Sequence, residues 1–395
     1  MSKIIFVTNP SKQHTPHLVN ALSKMMGTKV FWLSSILFNP PFFMRKWFFL
    51  QQRRSMIVSN IQMIIPVAWL LREIILRLFF KGERRNFIRD RLHDKWVCGW
   101  VEKQQPYILI GSEKSCKDSF LTVKKYRGIC ILDLAQIHVN ELEIIRNEYL
   151  FLKKEWGNDF LFEKIKKIKL IEYDLADYIW VISSKMKNSL LKSGISEKKI
   201  FPVTLGFNPQ IFYKNPCRQI RNNHRLKLIF VGNLSEAKGI SFLLKIMERL
   251  LPFPISLTLI GSNAHSFRNK TDLPNIVFEG IMDQPSVANY LRDADVFVFP
   301  SFLDSWGMAV IEAMAVGLPV VVSHSVGAAT WIDEHSGFIL PIQEDQWIKT
   351  ILALYFNPSL RINMGRQASL KVELLTWENY QNDLNHYLNE VISFI

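Results

Sequence analysis

The chain has 395 residues, 48% hydrophobic and 21% charged, with a formal net charge of +14. These are globular proportions, which exclude a disordered chain and predict two or three domains with real cores. The positive balance points to an anionic partner: nucleic acid, a membrane surface or a phosphorylated substrate. Four cysteines, at 98, 116, 130 and 217, show no Cys-x-x-Cys spacing, which argues against a disulfide framework or zinc site and fits a reducing compartment.

The start, "MSKIIFVTNP", reads as a strand and lacks the long apolar run of a signal peptide, so a cytoplasmic protein is expected. A helix is expected over residues 15–26, then the strand "KVFWLSS". Residues 45–95 carry twelve Lys and Arg against four Asp and Glu, interleaved with large apolar side chains. Arg72, Glu73, Arg77 and Pro66 within residues 61–80 argue against a bilayer-spanning helix. Basic and aromatic residues mixed on amphipathic segments fit a surface, about 36–95, that dips into an anionic membrane. Its aromatic content includes Phe42, Phe43, Trp47, Phe48, Phe49, Trp69, Phe79 and Phe80. The other reading is an ordinary core helix with solvated arginines. The tryptophans at 32, 47, 69, 96 and 100 fit packing or a membrane interface better than a sugar platform.

The strand runs "YILIGS", "GICILDL", "YIWVISS" and "KIFPVTLG" follow, with helical patterns between them. They are apolar throughout rather than alternating, as parallel strands covered on both faces must be. A seam rich in Asn, Pro and Arg at 208–225 predicts a domain boundary. A second series begins at "LKLIFVGNL" and runs through "ISLTLIG", "DVFVFPS" and "PVVVSHS", each followed by a helical pattern. "WENYQNDLNHYLNEVISFI" closes the chain as one amphipathic helix. The pattern predicts an α/β protein of two Rossmann-like domains, 1–207 and 208–375, with a terminal helix from 376 and a ligand cleft between the domains at the carboxyl ends of the strands.

"SFLDSWGMAVIEAMAVGLPVVVS", residues 301–323, places Asp304 and Glu312 in an otherwise apolar run, with seven residues between them. Asp304 falls in the turn after a strand. Ser305 reads as an N-cap, and the helix is expected to reach Val316 before Gly317 stops it. Glu312 lies inside that helix among Val310, Ile311, Ala313 and Met314, where a carboxylate without partners costs several kcal/mol in order of magnitude. Free amides near 305–308 would suit a phosphate, and the hydroxyls of a ribose would suit Glu312.

This stretch resembles the signature of retaining glycosyltransferases of family 4, in an Asp-x-Trp-Gly variant where glutamate is usual at the first acid. The resemblance implies the GT-B fold, a terminal helix crossing back to the first domain, and metal independence with no cofactor. It implies that Glu312 holds the ribose of a nucleotide-sugar donor, and that Asp304 with Ser305, Trp306, Gly307 and Met308 contacts the sugar and diphosphate. "FVGNLSEAKGISFLLK" resembles the family's Gly-Arg-Leu-x3-Lys-Gly segment: Lys238 and Gly239 match, and Asn233 stands in place of the arginine. "LDLAQIHVNELEIIRNEYLFLKKEWG" resembles a segment in which a histidine faces the donor sugar, here His138. The implied catalytic set is His138, Asp304 and Lys238. The acceptor would be a glycan or lipid-linked molecule of envelope or surface polysaccharide synthesis, met on the inner face of the cytoplasmic membrane. The resemblance is weak over residues 1–127, where "NPSKQHTPH" replaces the usual Gly-rich loop; His14 and His17 there could reach an acceptor or lie idle at the surface. Two rivals stay open: a GT-B-fold nucleotide-sugar epimerase, which needs no acceptor, and a basic nucleic-acid-binding protein, for which no recognition motif is present.

Overall fold

A computed structural model describes residues 3–9, 14–25, 27–34, 62–64, 69–214 and 225–393. The chain divides into two units: residues 1–204 with 378–395, and residues 205–377.

The first unit is built on a parallel sheet. Its strands are β1 (Lys3–Asn9), β2 (Thr28–Ser34), β3 (Gln62–Ile64), β4 (Ile108–Ser112), β5 (Ile129–Asp133), β6 (Tyr178–Val181) and β7 (Ile200–Pro202). Their order is β3-β2-β1-β4-β5-β6-β7. Ile5 pairs with both Val30 and Ile108, which puts β1 at the centre. Strands β4 and β5 are buried along their whole length, as their unbroken apolar runs require. The order reverses between β1 and β4, so the loops leaving those two strands diverge and open a crevice at the carboxyl edge.

That edge is fixed by buried acids. Glu172, on the helix Asp159–Leu175, accepts the Lys114 amide at 2.7 Å and the Cys116 amide at 3.0 Å, pinning the turn after β4. Asp94, on the helix Gly82–Gln104, accepts the amides of Asp118 and Ser119 at 2.8 and 2.9 Å, at the start of the helix Lys117–Lys125. Each carboxylate supplies acceptors that the orphan amides of a helix start need.

Much of the expected 36–95 surface, including Phe42, Phe43, Trp47, Phe48, Phe49, Arg53 and Arg54, lies outside the described residues. The described part forms the helices Trp69–Phe79 and Gly82–Gln104. The first exposes Ile74, Ile75, Leu78 and Phe79, the last two to 73% and 74%, beside exposed Arg77. No described helix is long and apolar enough to cross a membrane.

The second unit carries its own parallel sheet: β8 (Leu226–Val231), β9 (Ile255–Ile260), β10 (Ile276–Glu279), β11 (Val296–Phe299), β12 (Val320–Ser323) and β13 (Gly337–Leu340). The order is β10-β9-β8-β11-β12-β13, reversing between β8 and β11. Phe230 and Phe299 stack across that pair, ring centroids 5.3 Å apart. The unit's two ends are joined. Phe207 donates to the Leu375 carbonyl at 2.8 Å and Trp377 donates back to Phe207 at 3.3 Å. Gly206 lies so close that a Cβ there would stand 2.1 Å from the Thr376 carbonyl carbon. The final helix, Trp377–Ser393, belongs to the first unit from Glu378 onward, where Gln381 accepts from Asn20 and Lys24.

Candidate functional site

The crevice at the carboxyl ends of β8 and β11 gathers most of the residues singled out in the sequence. The chain leaving β8 turns through Ser235–Gly239. Gly239 has φ +74°, and a Cβ there would meet the Pro300 carbonyl oxygen at 2.1 Å. Only glycine lets this turn lie flat against the segment leaving β11. That approach delivers Lys238 to the next loop: its Nζ is 2.7 Å from Asp304 Oδ2 and donates to the Leu303 carbonyl at 3.1 Å. Phe302 donates to the Ala237 carbonyl at 2.8 Å, closing the two loops together.

Asp304 organises its surroundings further. Its Oδ1 accepts from the Trp306 amide at 3.0 Å, and its backbone pairs with Ser325 and Gly327 in the following loop. Trp306 is buried. These bonds hold residues 304–306 out of helical geometry, so Ser305 is not the expected N-cap. Gly307, at φ +92°, is the cap, and the helix runs only Met308–Ala315. A Cβ on Gly307 would meet Val326 Cγ1 at 2.8 Å, so the cap also needs the loop's close approach. Among the described residues the amides of Ser305, Gly307, Met308 and Ala309 take no partner. They form a donor cluster at the positive end of a helix, beside a lysine.

Glu312 is on the inner side of that helix and is buried. Its carboxyl takes no hydrogen bond among the described residues, and burial pushes its pKa up to about 8. A protonated, unpartnered acid beside a phosphate-sized donor cluster is a strained arrangement for a structural residue and a ready one for a ligand with hydroxyl groups. Asn233, in the arginine's place, brings no charge. Its Oδ1 instead accepts from Ser262 at 2.6 Å and Asn263 at 2.9 Å, tying the loops after β8 and β9.

His138 lies in the first unit, as the N-cap of the helix Val139–Glu148. Its Nδ1 accepts from the Asn140 amide at 3.2 Å and is 2.8 Å from Ser193 Oγ. That leaves the ring proton on Nε2, and burial keeps the ring neutral, with its pKa lowered to about 4. The ring packs on Tyr173 at 4.7 Å, whose hydroxyl donates to Glu113 at 2.7 Å; Glu113 is paired with buried Lys169 at 3.0 Å. The supporting acids Glu113, Glu172 and Asp94 escaped the sequence reading. The signal that could have found Glu113 is its position directly after an apolar strand, where a side chain must face the sheet edge.

Residues 225–357 match the family model for glycosyl transferases group 1. Over that stretch the chain is similar to the group 1 glycosyl transferases. The D-inositol 3-phosphate glycosyltransferase of Arthrobacter sp. (strain FB24) is 30% identical over 172 residues, 39% of this chain and 40% of that protein. The chain therefore aligns with about two fifths of that relative's length. The capsular polysaccharide biosynthesis glycosyltransferase CapM of Staphylococcus aureus is 26% identical over 266 residues, 60% of this chain and 69% of CapM. Anabaena Alr3699/HepE, solved in complex with UDP, aligns over 100% of both chains with a TM-score of 0.67 at 14% identity. The likeness shows the GT-B fold for this chain. The matched stretch lies within the second unit and contains Lys238, Asp304 and Glu312.

Proposed function

We propose that the protein is a retaining, metal-independent glycosyltransferase that moves a hexose-type sugar from a nucleotide sugar to a glycan or lipid-linked acceptor of surface polysaccharide synthesis. One observation carries this reading: Lys238, four free amides and a protonated, buried carboxyl converge within one loop and one helix turn. A nucleoside diphosphate satisfies all three. Its phosphates take the lysine and the amides, and its ribose hydroxyls take Glu312. The name of CapM and the UDP bound by HepE support the same substrate classes.

In this reading Lys238 and the helix amides stabilise the diphosphate as its bond to the sugar breaks, an electrostatic contribution made where charge develops. Asp304 presents Lys238 and the loop; Ser305, Trp306, Gly307 and Met308 form the phosphate and sugar wall; Asn233 shapes the loop beside them. His138 offers its Nε2 proton to the donor sugar. The exposed apolar face of Trp69–Phe79, with Arg77, supports docking on an anionic membrane at the inner face of the cytoplasmic membrane, where a lipid-linked acceptor would be met.

The test is turnover of UDP-, GDP- and ADP-sugars by the wild type, Lys238→Ala and His138→Ala, with calorimetry of the matching nucleotide. Lys238→Ala should lose about 2–4 kcal/mol of transition-state stabilisation. His138→Ala should lose turnover and keep nucleotide affinity. Retention is checked from the anomeric configuration of the product. A wild type that binds none of the three nucleotides would refute the reading.

A further inference from the structure

We infer that His14, oriented by Asp133, is the residue that receives the acceptor's nucleophilic hydroxyl; this rests on the glycosyl-transfer reading above and names a site on the first unit. His14 Nε2 and Asp133 Oδ2 are 2.9 Å apart. Asp133 ends β5, and His14 precedes the helix Thr15–Ser23 that follows β1, so the pair spans the carboxyl edge across the chain-reversal crevice between β1 and β4. The two side chains are 12% and 7% exposed. They sit at the rim, neither sealed in the core nor free in solvent.

The chemistry of the pair is directional. A carboxylate has no proton to give, so Nε2 must carry the ring proton and donate it. Nδ1 is then a bare lone pair, and it accepts no hydrogen bond among the described residues. An imidazole fixed by a carboxylate at one nitrogen and open at the other is an acceptor for a hydroxyl group. Its neighbour His17 differs: it is half-buried, and burial, with His14 close by, lowers its pKa to about 4. Burial first, and then the charge of Asp133, raise the pKa of the Tyr380 phenol, so a second element approaches this acid. A hydroxyl held at Nδ1 has its oxygen lone pairs pointing away from the ring, free to attack: as its bond to the sugar carbon forms, the sugar–phosphate bond breaks, the nucleoside diphosphate leaves and the hydroxyl proton passes to Nδ1; water held there would be oriented in the same way.

The experiment measures UDP release from UDP-glucose, first in buffer, where water is the acceptor, and then with octyl β-D-glucoside as acceptor probe. The wild type is compared with His14→Gln and Asp133→Asn. An Asn amide can donate to Nε2, which moves the ring proton to Nδ1 and abolishes the acceptor. Both variants should release UDP at least tenfold more slowly under both conditions, while UDP affinity by calorimetry and the melting temperature stay at wild-type values. Release within twofold of wild type in either variant would overturn the proposal. So would loss of UDP affinity alongside the rate, because His14 would then be serving the fold. A wild type that binds none of UDP, GDP and ADP would sink the glycosyl-transfer reading itself, an outcome visible before any variant is made; one that binds GDP or ADP instead moves the same comparison to that sugar nucleotide.

Discussion

Glu312 shows what a single buried acid does to the whole. Its folded pKa of about 8 stands above the ordinary value of 4.5. Between those values the native state keeps a proton that the unfolded chain has lost, so stability falls as pH rises from about 4.5 to about 8. Glu312→Gln should be nearly neutral in stability at pH 5 and stabilising at pH 9 by a few kcal/mol in order of magnitude, read from urea midpoints at the two pH values. The same proton reports on the ligand. Hydroxyls that donate to the carboxylate favour its charged form, so UDP binding at pH 7 should expel close to one proton. Calorimetry in phosphate and in Tris should then give different apparent heats; equal heats would remove the ribose role. At this scale the sequence was informative where chemistry and isolation coincide. An acid amid Val310, Ile311 and Met314 is visible as an anomaly. Asp94 and Glu172 were not, because they sit among other charges, and only the fold shows that they accept amides from distant turns.

At the scale of elements, the strands were legible because each is an unbroken apolar run, while helix limits were set by bonds from elsewhere. The helix expected from Ser305 begins after Gly307 because Asp304 takes the Trp306 amide and the next loop takes Asp304. The helix expected over 15–26 stops at Ser23, and Gly27 at φ +75° turns the chain into β2. The strand β10 went unnoticed: it is four residues long, lies at a sheet edge and leaves Val277 exposed. The helix Gly82–Gln104 was obscured because its inner face buries Asp90, His93 and Asp94, with His93 Nε2 2.6 Å from Thr8 Oγ1. The helix Trp69–Phe79 presents the opposite problem, an apolar face that exposes Ile74, Ile75, Leu78 and Phe79. Each of Leu78 and Phe79 can contribute roughly 1.5–3 kcal/mol if fully buried, and each basic residue near an anionic surface about 1 kcal/mol. Binding to phosphatidylserine-containing vesicles should weaken with salt yet persist at 0.5 M. Leu78→Ser with Phe79→Ser should abolish that persistent fraction in a flotation assay and leave UDP affinity unchanged. Equal binding to neutral vesicles would contradict the electrostatic part.

At the scale of the molecule, the two chain-reversal crevices share a topology and divide the chemistry. One holds a lysine, free amides and a protonated acid; the other holds the His14–Asp133 pair. Composition put the domain seam at 208–225, whereas the two units divide between Thr204 and Leu205; the pairing of Phe207 with Thr376 had no signal, since no local pattern announces a contact between segments so far apart in sequence. That pairing bears on how the gene can be cut. Residues 205–377 enter and leave through neighbouring backbones, so the unit is an inserted cassette whose ends are already stitched. Expressed alone, 205–377 should melt cooperatively and bind UDP within about threefold of the full chain, because no loop closure is left for the rest of the protein to supply. Gly206→Val, which forces the stitch apart, should unravel the isolated cassette from its ends.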